Sequence, residues 1–234
     1  MSTSGTYTWN QTVTQICDRA FRICQSYGVL DTPPAVEYTN AVQVLNAVLK
    51  SMCMDGLVLS CTQEVAVDLV SGQRTYTFPG AGGVTYKVLR VLQAVIRDTV
   101  GITDVVMTID SRYDYNNLGN KDSAGVPNQL FVDVQRDSTS VTLYNVPSDN
   151  THQLRLTVQR PFQDVNLVTE NVDLPTEAIL MCSWKLASEL ALEQGVNPAN
   201  IDRINQKAEY EYNKFINWQQ ENASVFFTPD IRSM

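Results

Sequence analysis

The sequence contains a single histidine, His152, and five cysteines, no two of which form a CxxC pair. One imidazole and scattered thiols do not supply the usual ligand spacing of a zinc site. They also leave only one residue to act as the base of a Ser-His-Asp or Cys-His arrangement. No Lys/Arg run is present: 17 basic residues face 25 acidic ones, for a formal net charge of −8. Duplex-binding surfaces gain affinity by releasing counterions from phosphates with basic clusters, so this balance disfavours one. No apolar stretch approaches the roughly 18 to 20 residues that span a bilayer. Residues 1–11 show no basic region followed by an apolar one, so no signal peptide is expected. Five cysteines cannot all pair, which fits folding in a reducing cytoplasm.

What is present is ordinary globular material: 234 residues, 44% hydrophobic and 18% charged, enough for one or two domains with a sizeable core. The first 62 residues read as two helices. Val13, Ile16, Cys17, Ala20, Phe21, Cys24 and Tyr27 recur at three- and four-residue spacing, so they share one face. Thr12 with Gln15 can form a capping box, and Gly28 offers a left-handed stop. Cys17 and Cys24 stand about 10.5 Å apart along such a helix, beyond disulfide reach, and read as small core residues. Thr32-Pro33-Pro34 opens the second helix, Tyr38 to Met52 carries its apolar stripe, and Asp55-Gly56 ends it.

Between about residues 63 and 170 the period changes to two. Strands are predicted around Val65–Leu69 and 75–78, then over 84–97, 102–109, 129–135, 140–146 and 153–160, with no helices between them. That order implies an antiparallel sandwich or open barrel. One long connection, residues 111–127, is rich in Asn, Asp, Gly and Tyr. Helical spacing returns after Asp173-Leu174-Pro175 with Ala178, Ile179, Cys182, Leu186, Leu190 and Ala191, stopping at Gly195. A last helix starts at Asn197-Pro198. The expected fold is therefore α+β, with N- and C-terminal helices (1–62 and 171–223) packed as a bundle around an inserted β-rich domain (63–170). A tail follows at 224–234. Net charge over residues 1–65, 66–170 and 171–234 is −2, −2 and −4.

Few residues point to chemistry. His152 lies in a predicted turn between strands, where a solvated histidine is expected. Cys53 and Cys61 flank a helix end but have no second pair to complete a tetrahedron. Gly80, Gly82 and Gly83 lack the helix, Lys and Ser/Thr of a phosphate loop and read as a flexible hairpin. Arg90, Arg97, Arg155 and Arg160 are dispersed among acids. Trp9, Trp184 and Trp218 read as core or interface anchors. Asp104, Asp110, Asp114 and Asp122, in or beside the long loop with Tyr113 and Tyr115, have the residue types of a glycan-cleaving site: one acid, one base or nucleophile, and stacking platforms. A polar surface loop explains the same residues and is the favoured reading. No catalytic, cofactor or metal residue is assigned, and elimination favours a structural or assembly protein.

Three segments carry a resemblance. Residues 52–79, MCMDGLVLSCTQEVAVDLVSGQRTYTFP, residues 127–162, PNQLFVDVQRDSTSVTLYNVPSDNTHQLRLTVQRPF, and residues 171–196, NVDLPTEAILMCSWKLASELALEQGV, follow one another as helix-to-hairpin, strand–turn–strand and Leu-Pro-started helix. In order and spacing, from about residue 10 to 220, the chain resembles the head-to-tail adaptors of short-tailed bacteriophages, the tail-tubular-A-like family. The resemblance implies a virion structural protein of the neck and tail, assembled in the host cytoplasm. It implies a closed ring of about twelve subunits, each repeating one heterologous contact. Its partners would be portal and tail nozzle proteins, with viral double-stranded DNA passing non-specifically through the channel and no membrane contact. A net-negative lumen would let the duplex slide. Val225-Phe226-Phe227 would anchor the tail in a groove of the portal or a neighbour, or else fold back on the chain's own bundle. A virion-associated glycan or peptidoglycan hydrolase and a carbohydrate-binding module remain as alternatives.

Overall fold

The computed structural model describes residues 5–56 and 59–219. The first helix, α1 (Val13–Ile23), starts where expected: the Thr12 N–H donates to Gln15 Oε1 at 3.2 Å, and Gln15 N–H returns a longer bond to the Thr12 hydroxyl. It buries Val13, Ile16, Cys17, Ala20 and Phe21. Its end differs from the expectation. The left-handed residue is Gln25 (φ 59°), whereas Gly28 has no left-handed φ. The Gly28 N–H donates instead to Asp31 Oδ2 at 2.7 Å; a Cβ there would lie 2.8 Å from that oxygen, a contact the exposed Asp31 side chain can relieve by shifting.

Helix α2 (Ala35–Met52) follows the two prolines and buries the expected stripe, ending three residues before Asp55. After the sandwich, α4 (Ile179–Glu193) lies at the centre of the bundle and packs on α1, α2 and α5 (Pro198–Trp218). Its apolar faces reach three neighbours, so eight of its residues are buried, including Ser183, whose hydroxyl donates to the Ile179 carbonyl at 3.0 Å. Gly195 turns the chain at φ 63°, and the Asn197 side chain accepts the Ala199 N–H at 3.0 Å to start α5.

The β region holds two four-stranded sheets. Its elements in chain order are β1 (Thr62–Asp68), β2 (Thr75–Phe78), β3 (Arg90–Asp98), β4 (Thr103–Val106), β5 (Thr108–Asp110), the short helix α3 (Arg112–Asn117), β6 (Ala124–Gly125), β7 (Gln129–Val134), β8 (Thr139–Tyr144), β9 (Val146–Pro147) and β10 (His152–Gln159). One sheet runs β1-β10-β3-β4, all antiparallel, and the other β2-β8-β7-β5. Inward residues of both, among them Val65, Val67, Ile96, Leu130, Leu143, Leu154 and Leu156, form one core. The sandwich departs from the expectation in four places, the first being α3, a short helix between strands where none was expected. Residues 84–89 form no strand, although Val84 and Val88 are buried. The predicted strand over 102–109 breaks at Met107, where the chain leaves the first sheet for the second, and β5 then pairs with β7 in parallel. Gly80–Gly83 is a tight turn packed on β1 rather than a loose hairpin: at Gly82 (φ 61°) a Cβ would lie 2.6 Å from the Ala66 carbonyl oxygen.

The helices and the segment returning from the sandwich share a second core, which takes in Phe162, Val165, Val172 and Leu174. Residues 160–174 lie across the bundle as a strap. The first-turn N–H groups of α1, which have no partner within the helix, donate to it: Val13 to the Glu170 carbonyl at 2.9 Å and Thr14 to Val168 at 2.8 Å. From α2, the Asn46 side chain bonds both the carbonyl and the N–H of Val165, at 2.8 and 2.9 Å. Arg160 and Asp173 close the strap with a two-pronged ion pair, their side chains 19% and 22% exposed.

Candidate assembly surfaces

The cysteines are structural. All five are free thiols; Cys17, Cys24, Cys61 and Cys182 are buried, and burial pushes their pKa values up to between about 11 and about 12. A thiol held protonated is a poor nucleophile or metal ligand. No group of three or more His, Cys, Asp or Glu side chains among the described residues could hold a metal ion.

His152 is not the solvated turn histidine expected. It opens β10 with its side chain only 17% exposed, its Nδ1 lying 3.1 Å from both Asp149 Oδ1 and the Thr151 hydroxyl. Asp149 also accepts the Thr151 hydroxyl at 2.7 Å and the Thr151 N–H at 3.0 Å. Those two bonds, then His152, hold its carboxyl well below the usual range. The triad order is not met, because the nearby Ser148 hydroxyl donates to the carboxylate. The cluster fixes the turn into β10.

The four loop aspartates are brought together only in part. Asp104 makes a fork with Arg97 across β3 and β4, at 2.6 and 2.5 Å, and Asp122 pairs with Arg74 at 3.3 Å. Asp114 is tied to the start of α3: its carboxylate accepts the Ser111 hydroxyl at 2.6 Å, and its N–H donates back. Asp110 has one buried oxygen without a protein partner, and burial, then the neighbouring Asp114, raises its pKa. Tyr115 is folded under α3, its ring stacked on Phe131 with centroids 5.5 Å apart, while Tyr113 is 75% exposed. The two tyrosines therefore do not present one face to a sugar. Three of the four singled-out arginines are spent on carboxylates: Arg97 on Asp104, Arg155 on Glu64 at 3.0 Å, and Arg160 on Asp173.

The clefts lie elsewhere, on the helical bundle. A groove of about 360 Å³ runs between the start of α4 and the end of α5, floored by Leu180, Met181 and Phe215 with Trp218 at its mouth. A second, of about 390 Å³, is bounded by Ile23, Trp184, Arg203 and Lys207, and a third, of about 370 Å³, by Val44, Val48, Glu189 and Glu193. Apolar side chains are also open to water from the α1–α2 loop into the first turn of α2 (Val29, Leu30, Val36) and on the β3–β4 hairpin (Val100, Ile102, Val105, Val106). The sequence reading passed over both clusters. The signal for the hairpin was there: adjacent Val105 and Val106 break the in–out alternation of a half-buried strand. Trp9 and Trp218 are 60% and 57% exposed, whereas Trp184 leans on the bundle core. Val225, Phe226 and Phe227 lie outside the described residues.

Clefts and exposed apolar patches of this kind suit protein–protein contact. No helix among the described residues is long and apolar enough to cross a membrane. No curated protein matches the chain significantly. The sequence model of the SU10 adaptor protein family matches residues 11–225, covering both helical segments and the whole sandwich. The chain therefore belongs to the SU10 adaptor protein family, the phage structural adaptors of the virion neck that associate with other head and tail proteins.

Proposed function

We propose that this adaptor forms a closed ring between the portal and the tail nozzle and lines part of the channel through which the genome passes. Family membership carries the reading, and the grooved helical bundle, with apolar patches exposed on a single copy, supports it. A ring of about twelve copies would repeat one heterologous contact until it closes. The helical segments 1–62 and 171–223 would act as one domain meeting portal or neighbouring copies. The β domain, 63–170, would project outward or toward the nozzle, and Val225, Phe226 and Phe227 would anchor the tail 224–234 on a partner. No catalytic step is needed. Quantitative mass spectrometry of purified particles tests the proposal: a copy number near that of the portal is expected, and absence from the particle overturns it.

The acidic balance gives the channel reading its own test. Asp202 and Glu209 are exposed on α5, and neither forms an ion pair with another of the described residues. If this helix lines the lumen, Asp202→Lys with Glu209→Lys adds phosphate contacts that retard the sliding duplex, more strongly at low salt. Slower genome ejection is expected, and unchanged ejection across salt concentrations counts against a repelling lumen.

A further inference from the structure

We infer that neighbouring copies of this chain join through two opposite flanks of α4, the acidic flank of one copy docking on the basic flank of the next. The second groove of the bundle makes the basic flank. Ile23, Trp184 and Ile204 give it apolar surface, Arg203 and Lys207 give it charge, and no acid lines it. The third groove makes the acidic flank, with Val44, Ala47 and Val48 of α2 beside Glu189 and Glu193 of α4, and no base lines it. An α-helix turns about 100° per residue, so Trp184 and Glu193, nine positions apart, lie on opposite sides of α4. Glu189 lies about 140° from Trp184 by the same spacing. The flanking helices agree: α1 and α5 bound the basic groove, and α2 bounds the acidic one.

The charges on both flanks are available. Arg203 is exposed and forms no ion pair with another of the described residues, and the same holds for Arg19, one turn before Ile23 on α1. Lys207 is partly spent: it donates to Glu211 at 2.6 Å and its Nζ lies 4.6 Å from the Tyr210 ring centroid. On the acidic flank Glu189 is exposed without an ion pair among the described residues, and Glu193 accepts the Asn40 side-chain amide at 2.6 Å. Lys185, one turn before Glu189, lies over the Tyr212 ring, 5.4 Å from its centroid. Two unlike, complementary flanks make a head-to-tail contact, which leaves each new copy with a free flank until the ring closes. A single self-complementary patch would stop at a dimer. Opposite charge also rejects the reversed pairing of acid against acid. Half-buried Trp184 beside Arg203 supplies the two residue types on which interfaces most often concentrate their binding energy. Asp202 and Glu209 lie about 100° and about 120° round α5 from Arg203, so this contact is compatible with a lumen-facing α5.

The inference rests on the ring reading and names the contact that builds the ring. It is tested in particles assembled with variants in place of the wild-type chain, by copy number against the portal. Arg19→Glu with Arg203→Glu makes a chain acidic on both flanks, and Glu189→Arg with Glu193→Arg makes one basic on both. Each variant alone should enter particles about tenfold less than the wild type, because like charges then meet at every contact. Expressed together they should return to the wild-type copy number in equal amounts, since acidic and basic chains can alternate round a ring with an even number of members. Recovery on joint expression also shows that both variants fold. The milder pair of chains, Arg203→Glu and Glu189→Arg, changes one exposed position in each and repeats the test if the double variants fold poorly. Wild-type incorporation of either double variant alone, or no recovery from the milder pair together, overturns the inference and leaves the ring standing. Absence of the wild-type chain from particles overturns the ring itself.

Discussion

Arg160 and Asp173 hold together the two ends of the strap, and their environment sets a pH dependence. Burial pushes the Asp173 pKa up, but bonds from Arg160 and from the Gln163 N–H outweigh it, leaving the carboxyl below its ordinary value. A carboxyl whose folded pKa is depressed contributes stability above its unfolded pKa of about 3.9 and loses it as pH falls through the folded value. Asp173→Asn should therefore cost about 2 kcal/mol at pH 7 and progressively less below about pH 4, read as converging urea midpoints of the two proteins. Arg160→Ala should cost more at pH 7, because it strands a largely buried carboxylate. None of this could be read from sequence, where Arg160 was one dispersed base among several. The same holds for His152, whose partner Asp149 stood three residues away but whose burial depends on the fold around it. The left-handed stop expected at Gly28 is taken three residues earlier by Gln25, a backbone choice that the residue types alone do not reveal.

Elements whose information is local were the most legible. The capping box of α1, the Pro-Pro start of α2, and the Asn197-Pro198 start of α5 all lie where the sequence puts them, because a cap is made by residues two or three apart. Asn197→Ala should accordingly cost about 1 kcal/mol, measurable as a lower thermal midpoint, with Asn197→Ser restoring most of it. What escaped were features made by distant partners. Residues 84–89 have apolar alternation and bury Val84 and Val88, yet join no ladder. The parallel β5–β7 pair and the switch of sheets at Met107 depend on which strand waits alongside, and local periodicity carries no trace of that. Strand β4 shows the opposite case, with every residue exposed on a sheet edge. Val106→Lys should leave stability within about 0.5 kcal/mol, since no packing is lost, while reducing concentration-dependent light scattering from edge association.

At the scale of the whole molecule, the described residues form two apolar cores, one in the helices with the strap and one between the sheets. All three tryptophans lie outside the strands, so their fluorescence follows the helical part, while amide exchange in β3 and β10 follows the sandwich. Leu186→Ala and Leu154→Ala each empty a fully buried site and should each cost about 2–5 kcal/mol. If the cores unfold as separate units, the first lowers only the fluorescence midpoint and the second only the exchange midpoint. Movement of both probes by either variant would show one cooperative unit. The expectation of helices flanking a β insertion held because the change from helical to strand period is visible along the chain. The strap was not foreseen, since its bonds join residues more than a hundred positions apart. Its neighbouring junction has a further consequence. The Arg160 N–H donates to the Cys61 carbonyl at 2.9 Å, so the chain enters and leaves the sandwich side by side. Such a doorway makes the insert exchangeable: recombination could replace everything between those two residues with a larger, smaller or unrelated unit while the helical frame keeps its path. A lineage could thereby refit the inserted part of its adaptor without redesigning the part that packs as a bundle.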